Sequence, residues 1–249
     1  MASSNSYVPL WVKSCFSFLE GASHPAELVE KAHALGLPAL ALTDRDGLYG
    51  IVEAHERAKE LGVQLIVGAQ MTVAGPPAGR QRMTSPSVAL IAQNRHGYGP
   101  LPQLISRGRA ESPKGSAAVM LADIVDFNVD LLALCPVPEL LAPLGEIFGS
   151  DRLYALVTRH RAPEEQRHER VLRNEATRLG IPTIAGTEVL YHDATRRPLQ
   201  DTLTCVRHGT TLSEAGGLLR PNAEHALLAP AAMQKLFADD PDALARTLE

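Results

Sequence analysis

The sequence predicts an α/β fold, namely a barrel of mainly parallel strands that alternate with helices. Short apolar runs alternate along the chain with amphipathic stretches of helical period, which begin at capping residues and end at glycine. The run Pro38–Asp44 is continuously apolar up to its polar end, which is typical of a parallel strand covered on both faces. Repetition at this density favours a closed barrel over an open doubly wound sheet, and no Gly-rich phosphate motif follows the first strand.

The elements follow one another in a regular order. The first strand is predicted to end at Leu10–Ser14, and the first helix runs from His24 to Gly36, where glycine can end it. Further strands are predicted at residues 38–44, 64–73, 88–92, 131–134, 153–157 and 182–185. Further helices are predicted at residues 50–61, 97–106, 163–179, 197–207 and from 241 onward.

The composition excludes several classes of protein. The chain has 249 residues, 45% of them hydrophobic, which suffices for one sizeable core. No apolar run approaches the ~18 residues of a membrane span, and the first residues lack the character of a signal peptide. We therefore expect a cytoplasmic protein without membrane contacts. A net charge of −4 gives no overall attraction to nucleic acid, and three cysteines without CxxC spacing argue against a disulfide framework.

Four segments, in this order, resemble the polymerase and histidinol phosphatase (PHP) domain at the N-terminus of bacterial C-family DNA polymerases. They are Phe16–Pro25, Leu37–Asp44, Arg196–Gly209 and Pro221–His225, and they resemble the error-prone, lesion-bypass branch more than the replicative branch. The resemblance covers nearly the whole chain. It implies a distorted (β/α)7 barrel with mainly parallel strands.

The resemblance also implies a division of the chain. Residues 1–229 are expected to form the PHP-like barrel, and residues 230–249 a helical segment that leads towards a polymerase palm domain. The helix predicted from Pro241 places Leu244 and Leu248 on one face. We expect this face to dock on another domain or to continue into further sequence.

Metal-competent members of this family hold zinc or manganese ions at the barrel mouth with nine ligands, five of them histidines. Functional residues of such barrels lie at the carboxyl ends of the strands, and the matching positions fall there. The five histidine positions are occupied by Trp11, Lys13, Arg45, Ser87 and Leu190. At the other four, ligand-competent Glu20 and Cys135 remain, Gln70 replaces a glutamate, and Glu188 replaces an aspartate.

The chemistry of these replacements argues against a metal independently of the family. Tryptophan offers only an N–H donor, leucine has no polar atom, and charged lysine and arginine have no free lone pair. We expect no cofactor in this domain. We predict instead that Lys13 and Arg45 form ion pairs with Glu20, Asp44 and Glu188, with the tryptophan filling the remaining volume. The alternative is that both cations extend into solvent.

Three functions are compatible with the sequence. The leading interpretation is the PHP domain of an error-prone translesion DNA polymerase, with a degenerate metal site and a structural or protein-contact role in DNA repair synthesis. Its partners would be the remaining polymerase domains, other lesion-bypass proteins, and DNA through the full-length protein. An alternative is a free-standing metal-dependent phosphoesterase with a reduced site of Glu20, Asp44, Glu188, His160 and His192. A third is a DNA-contacting module that uses Arg107, Arg109, Lys114, Arg196 and Arg197.

Overall fold

A computed structural model describes residues 6–74 and 86–249 of the chain. Within these ranges the chain forms one six-stranded sheet whose strands neighbour one another in sequence order. The strands are β1 (Ala39–Leu42), β2 (Gln64–Thr72), β3 (Ser87–Ala92), β4 (Leu131–Cys135), β5 (Leu153–Thr158) and β6 (Thr183–Gly186). The helices are α1 (Pro25–Ala34), α2 (Ile51–Leu61), α3 (Arg95–Tyr98), α4 (Pro100–Ala110), α5 (Leu121–Asp126), α6 (Pro138–Phe148), α7 (Glu165–Leu179), α8 (Arg197–His208), α9 (Pro230–Leu236) and α10 (Pro241–Ala245).

The sheet is mostly parallel and curled, which confirms the predicted barrel class. β1 pairs with β2, β4 with β5 and β5 with β6 in parallel, whereas β3 runs antiparallel to both of its neighbours. Val12 forms parallel bridges to Leu42 on one side and to Val189 on the other. The predicted first strand is therefore reduced to one bridging residue between the two ends of the sheet. Pro9 contributes to this reduction because it has no N–H to donate to a ladder.

Two helices are additional to the predicted elements, namely α5 and α6, and α9 lies in the segment 230–249 that was predicted to be helical without bounds for this helix. α6 contains Pro143, a residue that usually interrupts a helix and that obscures the helical spacing of the buried Leu141, Leu144 and Phe148. The helix predicted at 97–106 is divided into α3 and α4, and Pro100 begins the second of them. No helix in the described ranges is long and apolar enough to cross a lipid bilayer.

Both faces of the sheet are buried, which explains the continuously apolar strand sequences. In β1, Ala39 and Ala41 pack in a cluster with Trp11 and alternating residues of the other strands. The intervening Leu40 and Leu42 belong to the larger cluster, which includes residues from the surrounding helices. Trp11 and its apolar neighbours thus fill the inside of the curled sheet, below the opening at the strand ends that we call the mouth of the barrel.

Residues 230–249 pack against the rest of the chain. Phe237 and Leu244 belong to the main core, and the guanidinium of Arg159 lies 4.6 Å from the centre of the Phe237 ring. The expectation that the face of Leu244 and Leu248 docks on another domain or continues into further sequence is wrong for Leu244, because α10 packs against β6 and buries this residue. Leu248 follows in a short 3₁₀ turn and is 44% exposed.

Candidate functional site at the strand ends

The polar residues that follow the strands converge at one mouth of the barrel. Lys13 follows the bridging residue between the sheet ends, Arg45 bridges to Gln70 of β2, and Glu188 follows β6. Ser87 begins β3 rather than ending it. Because β3 is antiparallel, Ser87 pairs with the last residue of β2 and lies at the same end of the barrel.

Lys13 is held between two carboxylates inside this mouth. Its Nζ lies 2.8 Å from Glu20 Oε2 and 2.6 Å from Glu188 Oε1, and the side chain is 1% exposed. Arg45 Nε lies 2.6 Å from Glu20 Oε1. The predicted ion pairs of Lys13 with both glutamates, and of Arg45 with Glu20, are therefore confirmed. The alternative in which both side chains extend into solvent is wrong.

Two further arginines complete the ion cluster. Arg207 of α8 pairs with Glu20, and Arg220 Nη2 lies 2.7 Å from Glu188 Oε2. Sequence reasoning did not select either residue, because patterns of local spacing do not report a pair such as Glu20 and Arg207, 187 residues apart. The only available signal was that Arg207 lies in a segment that carries the family resemblance. The two carboxylates thus meet four side-chain cations.

Asp44 is not part of the ion cluster, which corrects one detail of the prediction. Its carboxylate accepts hydrogen bonds from Ser14 N at 2.6 Å, Ser14 Oγ at 2.7 Å and Ser17 Oγ at 2.6 Å. The turn formed by residues 14–17 places these donors against the carboxylate and satisfies it without a cation. Burial nevertheless raises the pKa of Asp44, against the opposing effect of the serine hydrogen bonds.

The two clustered glutamates are strongly stabilised as anions. Burial by itself would raise the pKa of Glu20, but the charges of Lys13 and Arg45 outweigh it and lower the pKa to about 2. The pKa of Glu188 is likewise held well below its usual range, because Lys13 and Arg220 outweigh the effect of burial. The cluster is therefore a set of charged pairs at neutral pH.

A second polar group lies beside the cluster and is uncharged. Trp11 Nε1 donates to Gln70 Oε1 at 3.0 Å, and Gln70 Nε2 donates to Ser87 Oγ at 2.7 Å. Lys13 Nζ lies 5.4 Å from the centre of the Trp11 ring, within range of a cation–π interaction. Trp11 is buried and occupies the volume beside the ion cluster, as predicted.

Cys135 and Leu190 lie outside both polar groups. Cys135 is completely buried, donates through Sγ to the carbonyl oxygen of Val137, and has a pKa raised to about 12 by burial. It is therefore a neutral thiol of the core. Leu190 packs in a separate apolar cluster with Ala22 and Tyr191.

Two stacked histidines hold the backbone of Glu188. His160 Nε2 accepts from the Glu188 N–H at 2.8 Å, so its Nδ1 carries the proton that is donated to Glu165 Oε1 at 2.7 Å. His225 Nδ1 donates to the Glu188 carbonyl at 2.9 Å, and the two ring centres are 4.0 Å apart. Burial lowers the pKa of His225 to about 3, with further contributions from His160 and Arg220.

The histidines of the alternative phosphoesterase site are engaged elsewhere. Both ring nitrogens of His160 are used in the contacts just described, and His192 Nδ1 forms a hydrogen bond with Ser23 at 2.7 Å.

Over residues 6–74 and 86–249, no group of three or more His, Cys, Asp or Glu side chains is arranged to hold a metal ion. At the PHP ligand positions, Lys13 Nζ lies between the two carboxylates and donors replace acceptors, so these residues do not fit a metal cluster.

The fold and the site define an α/β barrel protein with a polar site at the carboxyl ends of its strands. Comparison with known protein families shows to which family of such barrels the chain belongs. The model of the PHP domain matches residues 10–174, so the chain belongs to the PHP domain family. Two solved structures share the fold. A protein described as a metal-dependent phosphoesterase, from Bifidobacterium adolescentis, has a TM-score of 0.53 at 16% identity and covers 74% of this chain and 87% of its own. An amidohydrolase from Chromobacterium violaceum has a TM-score of 0.55 at 15% identity, and the match covers 75% of this chain and 88% of the amidohydrolase.

Curated relatives of the chain are named as error-prone DNA polymerases and are much longer than the chain. Error-prone DNA polymerase from Anaeromyxobacter dehalogenans is 44% identical over 250 residues, which cover 96% of this chain and 22% of the relative. Error-prone DNA polymerase from Brucella abortus is 38% identical over 260 residues, which cover 98% of this chain and 23% of the relative. The chain thus spans about a fifth of the length of these relatives.

Proposed function

We propose that this chain is the PHP domain of an error-prone DNA polymerase used in translesion synthesis and DNA repair, and that the domain itself is not a hydrolase. Its role is structural: it supports the remaining polymerase domains, and DNA is engaged through the full-length protein. The polymerase relatives support the context of the proposal. The geometry of the strand-end site supports the loss of metal chemistry.

The observation that carries the proposal is the position of Lys13. Its ammonium group lies between Glu20 and Glu188, within 2.8 Å of each. A divalent cation bound to these carboxylates would have to displace a buried positive charge, and at short range the two charges would repel each other strongly. The lysine therefore supplies the compensation that a metal would otherwise supply.

A hydrolysis assay tests this proposal. The chain is incubated with Mn²⁺ and either p-nitrophenyl phosphate or a 3′-labelled single-stranded oligonucleotide, and Glu20→Gln serves as the matched variant. We expect no Mn²⁺-dependent hydrolysis that differs between the two proteins. Hydrolysis that requires Mn²⁺ and is lost in Glu20→Gln would contradict the proposal, because a contaminating hydrolase would be unaffected by the substitution.

The outer face of α8 supports the protein-contact part of the proposal. Leu199, Leu203 and Val206 share one face at spacings of four and three residues, and Leu199 and Val206 are 42% and 62% exposed. The same helix carries Arg207, which pairs with Glu20. Because the polymerase relatives are several times longer than this chain, we assign this face to contact with the rest of the polymerase.

Two glutamate substitutions test the contact. Val206→Glu is expected to lower the melting temperature of the longer polymerase while leaving that of the 249-residue chain unchanged. Val171→Glu, at a 49% exposed position on α7, is the matched control and should affect neither. Equal effects of the two substitutions on the longer polymerase would contradict the assignment.

A further inference from the structure

A groove lies beside the ion cluster, on its outer side. It has a volume of about 600 Å³ and is bounded by the turn after residue 15, the segment between β1 and α2, and the loop that follows α4. Its lining includes four cationic side chains, Arg45, Arg109, Lys114 and Arg207. The groove shares Arg45 and Arg207 with the ion cluster, whereas Arg109 and Lys114 come from other segments and lie outside the cluster.

The groove has an excess of positive charge although the chain is acidic overall. Its two carboxylates are already engaged: Glu20 pairs with Lys13, Arg45 and Arg207, and Asp46 accepts two hydrogen bonds from Thr72, each at 2.8 Å. Lys114 is exposed and has no ion-pair partner among the described residues. Arg45 and Arg207 are paired with Glu20, so Arg109 and Lys114 are the groove cations whose charge is available to an anion.

Two exposed aromatic side chains border the same groove. Phe18 is 74% exposed and Tyr49 is 52% exposed. The guanidinium of Arg109 lies 5.2 Å from the centre of the Tyr49 ring and donates to the carbonyl of Asp46 at 2.7 Å, which holds cation and ring together. Neighbouring cations and exposed aromatic rings are the combination that binds phosphates and stacked bases of single-stranded nucleic acid.

The five basic residues that the sequence suggested for a DNA-contacting module do not lie together in the structure. Arg107 is engaged by Glu111 and Asp123, Arg196 by Glu27, and Arg197 by Asp201. Only the two remaining members of that group, Arg109 and Lys114, line the groove.

We propose that this groove binds a phosphodiester strand with unpaired bases, with Lys114 and Arg109 contacting phosphates and Phe18 stacking on a base. Duplex nucleic acid lacks exposed base faces and does not satisfy the aromatic part of the site. The proposal goes beyond the role assigned above and is independent of it, because among the described residues neither Lys114 nor Phe18 forms a side-chain hydrogen bond or ion pair with the ion cluster. Both side chains are exposed, so their substitution leaves the core intact.

Fluorescence anisotropy with the 249-residue chain and a labelled single-stranded oligonucleotide tests the proposal. EDTA is present, so that the result does not depend on whether the chain can hold metal. Lys114→Glu is expected to weaken binding and to reduce the slope of log Kd against log salt by about 0.7, the value for one phosphate contact on a single strand. Phe18→Ala is expected to weaken binding by about fivefold or more, as the loss of one stacked base does.

Matched controls distinguish the groove from general surface effects. Lys235→Glu makes the same charge change on α9, and Val129→Ala truncates a 61% exposed side chain away from the groove. Neither control should alter binding, and a duplex of the same sequence should bind more weakly. Absence of oligonucleotide binding, equal effects of Lys114→Glu and Lys235→Glu, an unchanged Kd in Phe18→Ala, or equally tight duplex binding would each overturn the proposal. Binding of inorganic pyrophosphate without binding of the oligonucleotide would overturn it as well.

Discussion

Lys13 and Glu188 form an ion pair of 2.6 Å inside the barrel mouth, although 175 residues separate them in the chain. The same ammonium group pairs with Glu20 at 2.8 Å, so one buried lysine joins the start of the chain to the segment that follows the last strand. Removing the lysine would leave the two glutamates with Arg45, Arg207 and Arg220 as counter-charges, and these arginines are 21–42% exposed and therefore compensate a buried charge less well. The stability of the site should therefore depend on this lysine more than on any surface cation.

Lys13→Met is expected to destabilise the chain by up to ~3–5 kcal/mol, because both glutamates lose their buried partner and keep only arginines that are partly exposed. Lys31→Met is the matched control, because Lys31 pairs with Asp193 at 2.8 Å with both side chains about a third exposed. That surface pair should contribute only ~0–1 kcal/mol. Urea denaturation of the three proteins gives the free energies of unfolding. Similar losses in the two variants would contradict the account of the cluster.

Acid should destabilise the chain in a window set by His225. The pKa of His225 is about 3 in the fold against 6.5 for an ordinary histidine, so the unfolded chain takes up the proton first as the pH falls. Stability is therefore complete above about pH 6.5 and is lost as the pH falls towards 3. Between pH 7 and 5 this loss is on the order of 2 kcal/mol. Glu20, with a pKa of about 2 against 4.5, adds a further loss below about pH 4.5.

The free energy of unfolding at pH 7 and pH 5 measures the histidine effect. His225→Gln should reduce stability at both pH values and flatten the difference between them. His55→Gln, at an exposed position on α2, should leave the difference unchanged. A pH dependence that is identical in all three proteins would show that His225 does not contribute.

Gly21→Ala should destabilise the mouth of the barrel. A Cβ atom at Gly21 would lie 2.0 Å from the carbonyl oxygen of Ser14, which belongs to the turn that binds Asp44. We expect a cost of ~1–3 kcal/mol or more, as for other overpacked sites. Gly217→Ala, where a Cβ would meet nothing within 4 Å, should have little effect. Trp11 is the only tryptophan in the chain, so its fluorescence reports unfolding at the site itself.

Arg159 should hold residues 230–249 against the barrel. It pairs with Glu169 at 2.7 Å and with Asp239 at 2.6 Å, and it stacks on Phe237. Arg159→Ala is expected to speed amide hydrogen exchange in α9 and α10 while the strands keep their protection. Arg178→Ala removes an exposed pair on α7 and is the control. Unchanged exchange in α9 and α10 would show that apolar packing alone holds this segment.

The barrel could be predicted from the sequence because its strands bury both faces and its helices have clear ends. Residues 38–44 carry that signal almost without interruption, and a glycine marks the end of α1, α2, α7 and α8. The first strand could not be predicted correctly, because pairing of Val12 with both ends of the sheet depends on how the whole sheet closes. Helix α6 was missed because a proline lies inside it.

The site was predictable to the extent that it depends on charge balance. Two buried carboxylates need cations, and Lys13 and Arg45 were the nearest candidates along the strand ends. The hydrogen bonds that satisfy Asp44 could not be foreseen, since they depend on how the turn at residues 14–17 folds over the carboxylate. The contribution of Arg207 depends on where α8 packs, and no local pattern reports that position.

Equilibrium dialysis against Mn²⁺ or Zn²⁺ determines whether side-chain cations have replaced metal ions at the strand ends. The dialysed chain, purified without a metal-affinity column, is analysed for bound metal by elemental analysis and compared with Glu20→Gln. If the side-chain cations have replaced the metal, both proteins should hold the same substoichiometric amount of it. Stoichiometric metal in the chain that is lost in Glu20→Gln would show that the strand ends still bind metal ions.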